Sequence, residues 1–73
     1  MAKEMIEAPI PGTVTSVTVK VGAKVSEGDT LLMLESMKME NPILTPVTGT
    51  VTEIKVSAGQ VVKSGDLLAV VEY

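Results

Sequence analysis

Residues 8–35 and 45–72 of this 73-residue chain are two copies of one segment, aligned without a gap at an offset of 37. The first reads APIPGTVTSVTVKVGAKVSEGDTLLMLE and the second TPVTGTVTEIKVSAGQVVKSGDLLAVVE. Pro9 falls on Pro46, Gly12-Thr13-Val14-Thr15 on Gly49-Thr50-Val51-Thr52, and Gly22 on Gly59. Gly28-Asp29 falls on Gly65-Asp66, Leu31 on Leu68 and Glu35 on Glu72. Two copies are too few for a solenoid, which needs a run of stacked units. A chain this short also has little interior to share out. The expected arrangement is one domain, residues 1–73, with the copies packed face to face about a pseudo-twofold axis.

Each copy reads as β. Valine, isoleucine and threonine supply 24 of the 73 residues, and all three are stiff at χ1 and favour strands. Helical periodicity is absent, and glycine, proline and Gly-Asp pairs punctuate the chain every several residues. The pattern predicts strands at Met5–Ala8, Thr13–Val19, Lys24–Val25, Leu31–Ser36, Met39–Leu44, Thr50–Val56, Val61–Val62 and Leu67–Glu72. Gly28 and Gly65 supply the positive φ that tight turns need. Strict alternation fails at the same place in both copies. Apolar residues fall at Val14, Val17 and Val19, and again at Val51, Ile54 and Val56. A β-bulge near Thr15-Ser16 and near Thr52-Glu53 restores the inward facing of the later residues.

The symmetry singles out one lysine. Residues 36–44 join the copies, so the fourth and fifth strands meet there in a hairpin with Lys38 at its turn. The surrounding sequence is Glu35-Ser36-Met37-Lys38-Met39-Glu40. With no glycine in this turn, a type I geometry is expected. Met37 and Met39 are expected to be partly buried, bracing the turn, because neighbours in a strand alternate faces. The chain ends are expected to lie close together, opposite the lysine. An ordinary lysine in a turn is a solvated one, and the other five lysines read that way. The methionine flanks and the place at the junction set Lys38 apart. Glu35 and Glu40 read as solvated strand residues rather than an acid/base pair, since Glu72 occupies the position equivalent to Glu35 without any lysine turn beside it.

Composition excludes several function classes. The chain has no cysteine and no histidine, which removes the thiolate, the commonest general base and the commonest metal ligand. The acidic residues form no calcium loop. The net charge is −3, arginine is absent and Tyr73 is the one aromatic, so a nucleic-acid-binding face is missing. No apolar run is long enough to span a membrane. Met1-Ala2-Lys3-Glu4 is too short and too charged to begin a secretory signal, which points to the cytoplasm.

Over residues 8–72 the chain resembles the biotinyl/lipoyl attachment domain family. The resemblance rests on Ala8-Pro9-Ile10-Pro11-Gly12-Thr13-Val14, on the spacing from Gly22 through Val25 to Gly28-Asp29, and on the half-repeat itself. It implies an all-β fold, a flattened barrel or sandwich of two four-stranded antiparallel sheets with pseudo-twofold symmetry and the modified lysine on a hairpin. Biotinyl members typically read Ala-Met-Lys-Met, whereas lipoyl members place an acidic residue before the lysine and a small one after it. Met37-Lys38-Met39 is similar to the biotinyl branch, and Ser36 replaces the usual alanine.

What the resemblance implies is a carrier without catalysis of its own. A biotin protein ligase joins biotin to Lys38 Nζ as an amide, with Met37 and Met39 recognised at the tip. A biotin carboxylase and a carboxyltransferase or decarboxylase subunit then use the arm, for an acyl-CoA or 2-oxo acid substrate. Two other readings stay open on the residues alone: a lipoyl carrier of the 2-oxo acid dehydrogenase or glycine-cleavage type, and an unmodified interaction module.

Overall fold

A computed structural model describes residues 2–73, and all its regular elements are strands. They are β1 (Lys3–Glu7), β2 (Gly12–Val17), β3 (Lys24–Val25), β4 (Thr30–Ser36), β5 (Met39–Leu44), β6 (Gly49–Ile54), β7 (Val61–Val62) and β8 (Leu67–Glu72). One antiparallel sheet has the order β1-β8-β6-β3 and the other β5-β4-β2-β7. Advancing every label by four turns the first order into the second, which is the pseudo-twofold axis expressed as topology.

The copies do face each other, but they also interlock. β2 and β4 of the first copy pair within one sheet, and β6 and β8 of the second within the other. Each copy then lends its two-residue strand to the edge of the other's sheet: β3 pairs with β6, and β7 with β2. Turn hydrogen bonds cross between the copies in matched sets. Gly28 N–H donates to the Thr45 carbonyl and Gly65 N–H to the Ala8 carbonyl, both at 2.8 Å. Gly28 and Gly65 sit at φ of 92° and 91°. Each is the third residue of a turn closed by the following aspartate N–H, on Ser26 O and Lys63 O respectively. The Asp29 and Asp66 carboxylates each accept a 2.8 Å hydrogen bond from the N–H three residues back. Glycine at that φ is a type II arrangement, and any side chain there is strained.

The bulges lie where the broken alternation predicts them. The β2–β4 register shifts between Val14 and Ser16, and the β6–β8 register between Val51 and Glu53. The shift keeps one side of each strand on a single core. Val14 and Val51, Leu31 and Leu68, and Leu34 and Val71 are pairs 37 residues apart, and all six are fully buried. Each such side chain contributes about 1.5–3 kcal/mol of hydrophobic stabilisation, which outweighs any exposed contact. The outermost strands are poor templates for further pairing. β3 and β7 are two residues long, β5 carries Pro42, and β1 carries Lys3, Glu4 and Glu7. The molecule is elongated, 35 × 18 × 17 Å.

Candidate functional site

The β4–β5 ladder runs from Thr30 opposite Leu44 up to Ser36 opposite Met39, leaving Met37 and Lys38 as a two-residue turn. Their φ values are 54° and 65°. Two left-handed residues in succession make a type I′ turn, not the type I expected from the absence of glycine. The reason is the sheet. A two-residue hairpin whose turn twists with its strands is of the primed kind, and type I would splay them. Met37 and Lys38 are the only non-glycine residues at positive φ among those described. An L-residue there costs roughly 1 kcal/mol, so the strands below must hold the turn.

Several contacts do so. Ser36 Oγ donates a 2.7 Å hydrogen bond to the Pro11 carbonyl, tying the top of β4 to the segment that precedes β2. Asn41 Nδ2 donates to the Met39 carbonyl at 3.2 Å. The Thr15 hydroxyl lies 3.3 Å from a Glu40 carboxylate oxygen. Gly12 passes directly beneath the Glu35 carbonyl, where a Cβ would collide with the carbonyl oxygen. Apart from the Asn41 contact, which reaches two residues back, none of these supports follows from the local sequence. Gly12 left one trace, its match to Gly49, which passes beneath the Glu72 carbonyl in the same way.

The tip itself is bare. Lys38 is exposed, and the one ion pair among the described residues lies elsewhere, Lys55 to Glu53 at 2.7 Å. That contact, a charge-assisted hydrogen bond first and Coulomb attraction second, holds the Glu53 carboxyl below its ordinary range. Met37 is 92% exposed and Met39 67%. The expected partial burial is therefore wrong. Met37 belongs to the turn, where strand alternation does not apply, and Met39 sits in the last pair of the ladder with only Ser36 across from it. Glu35 and Glu40 face each other across β4 and β5, both exposed to water.

The site is convex. A shallow groove of about 270 Å³ lies on the sheet without the hairpin, lined by Lys24, Val25, Ser26, Thr48, Gly49 and Thr50. Catalysis needs a concave, water-excluding site. A primary amine on a protruding turn is instead shaped to enter another protein's cleft. Its chemistry fits a carboxyl-bearing group held as an amide, and the exposed methionines offer apolar contact to whatever binds the tip. The chain ends also lie where the sequence places them. Ala2 and Tyr73 exchange two backbone hydrogen bonds of 2.8 Å, at the positions equivalent to Met39 and Ser36.

A family profile described as biotin-requiring enzyme, for biotin and lipoyl attachment, matches residues 4–71. The gamma subunit of glutaconyl-CoA decarboxylase from Acidaminococcus fermentans is 56% identical over 39 residues, 53% of this chain and 27% of that protein. A biotin carboxyl carrier protein of Streptococcus mutans is 51% identical over 43 residues, 59% of this chain and 33% of that protein. The chain thus spans a third or less of these curated relatives. The crystal structure of Kluyveromyces lactis urea carboxylase contains a region that superposes on 99% of this chain and 6% of its own, with a TM-score of 0.92 and 29% identity.

Proposed function

Because the chain belongs to the biotin/lipoyl attachment family and is a biotin carboxyl carrier domain, we propose that Lys38 is its biotin-bearing residue. The domain is a non-catalytic part of a biotin-dependent carboxylase or decarboxylase. The observation that carries the site assignment is the tip: one exposed lysine on a left-handed two-residue turn between two exposed methionines. Residues 1–73 act as one biotinyl unit whose half-repeats are 8–35 and 45–72.

When attached, biotin supplies a ureido nitrogen that takes up and releases a carboxyl group, and that chemistry belongs to the cofactor and to partner active sites. This chain presents and tethers. A biotin protein ligase activates the vitamin's carboxyl with ATP as an acyl phosphate anhydride. The unprotonated Lys38 Nζ attacks the acyl carbon, the phosphate-bearing group leaves, and loss of a proton from nitrogen gives a neutral amide. Accessibility does not distinguish Lys38, since Lys3, Lys20, Lys24, Lys55 and Lys63 are also exposed. Shape does. Ser36, Gly12 and the ladder below hold the turn in a single geometry, so little conformational freedom is lost when a ligase closes on it. Met37 and Met39 enter apolar recesses of that enzyme. Afterwards the fixed hairpin keeps the arm at high effective concentration near a biotin carboxylase and a carboxyltransferase or decarboxylase subunit. An acyl-CoA or 2-oxo acid is the acceptor or donor, and the cytoplasm, where ATP and the ligase meet the chain, is the place of loading.

The test is intact mass followed by peptide mapping of the chain coexpressed with a biotin protein ligase. One biotinyl increment on the peptide containing Lys38 is expected. A lipoyl increment, or biotin on another lysine, overturns the assignment.

A further inference from the structure

We propose that Met37 and Met39 make the loading of Lys38 sensitive to oxidants: a hydroperoxide that converts these thioethers to sulfoxides closes the tip to the modifying enzyme. This rests on the reading of Lys38 as the biotin acceptor. The described residues include four methionines, Met5, Met33, Met37 and Met39. Met33 is partly buried and Met5 is 54% exposed, while the two flanking Lys38 are the most exposed of the four. Thioether oxidation follows exposure, so the tip is where an oxidant reacts first. The second copy of the repeat has no methionine. Valine, leucine, isoleucine or alanine stands wherever its apolar positions need filling. The two most exposed thioethers therefore sit at the functional turn, and neither is needed to build the scaffold.

The step balances without a further reactant. The methionine sulfur gives two electrons to the peroxide O–O bond and takes one oxygen as S=O, and the other leaves as water from hydrogen peroxide or as an alcohol from an organic hydroperoxide. The product is a strong hydrogen-bond acceptor in place of an apolar group. An enzyme recess shaped for a thioether must then bury a polar oxygen without a donor, which is strongly unfavourable. The scaffold is untouched, because Met37 and Met39 make no core contact. Reduction of the sulfoxides restores the original surface.

The experiment treats the unmodified full chain with hydrogen peroxide, maps sulfoxides by peptide mass, and measures kcat/KM for biotin transfer by a biotin protein ligase. Circular dichroism confirms the fold after treatment. Oxidation at Met37 and Met39 before Met33 is expected, with about a tenfold loss of kcat/KM that methionine sulfoxide reductases reverse. Met5→Leu should show the same loss. For the double variant Met37→Leu, Met39→Leu, the ratio of treated to untreated rates should be close to one, whatever its starting rate. Unchanged transfer to a chain oxidised at both tip methionines overturns the proposal, as does an equal loss in the double variant. Failure of the underlying reading looks different: the untreated parent takes no biotin, or takes it on another lysine, and the proposal falls with it.

Discussion

The two ends of the pseudo-twofold axis have the same backbone and different uses. At one end Ser36 pairs with Met39 beneath the turn that carries Lys38. At the other, Tyr73 pairs with Ala2, and the place of that turn is taken by the ends of the chain. The buried pairs Val14/Val51 and Leu31/Leu68 remain identical across the axis. The surfaces have diverged. Glu35 faces Glu40 below the lysine, whereas its counterpart Glu72 faces Lys3. Like charges set opposite each other weaken a sheet, and opposite charges support it. Duplication supplied a stable scaffold twice over, and the second end is an internal control for what the first end needs beyond folding.

The largest effect that tests this comparison is at the acceptor. Lys38→Arg should abolish avidin-detectable biotin while leaving the melting curve in place, because the residue is exposed. Exchanging Met37 and Lys38, which moves the amine by one position on the same turn, should do nearly as much. Persistent label on the arginine variant would show that the two ends do not differ in the way the tip geometry implies.

Next come the paired glycines under the strand ends. Gly12→Ala and Gly49→Ala each push a Cβ into a carbonyl oxygen, of Glu35 and Glu72 respectively. Each should cost about 1–3 kcal/mol, measured by urea unfolding. Only Gly12→Ala should also slow biotin transfer, since only it lies under the lysine hairpin. Equal slowing by both would mean that loading reads global stability rather than the local geometry of the tip.

The turn glycines should behave alike. Gly28→Ala and Gly65→Ala impose a side chain at φ near +90°, and each should cost on the order of 1 kcal/mol or more in the same assay. A large difference between them would reveal an asymmetry in the scaffold itself.

The smallest effect is electrostatic and confined to the sheet that does not carry the hairpin. The Glu53 carboxyl is held below its ordinary 4.5 by the hydrogen bond and charge of Lys55. A depressed folded value stabilises the fold above the unfolded value and loses that contribution as pH falls through the folded one. Glu53→Gln should therefore flatten the stability curve slightly just below pH 4.5 and leave loading at neutral pH unchanged. Because both partners are largely solvated, the change in melting temperature should be barely resolvable.

Much of this was legible in the chain. Composition and turn punctuation located all eight strands, every end within two residues, the two-residue offsets being the start of β1 at Lys3 and the ends of β2 and β6 at Val17 and Ile54. Broken alternation located the bulges, Gly-Asp pairs located the positive-φ turns at Gly28 and Gly65 but not those at Gly22 and Gly59, and the junction of the copies located Lys38. These features are local, or they repeat, and a repeat shows the same constraint twice. The handedness of the lysine turn was not legible, because it is set by the twist of β4 and β5 and overrides the preference of Met37 and Lys38 for negative φ. Nor was the exposure of the methionines, which depends on where the ladder stops. The exchange of β3 and β7 between sheets, the Ser36 hydroxyl on Pro11 and the passage of Gly12 under Glu35 join residues 23 to 50 positions apart. Sequence determined which segments extend and which lysine stands at the symmetry junction. Tertiary structure decided how that lysine is held, because the contacts that hold it exist only once distant strands have come together.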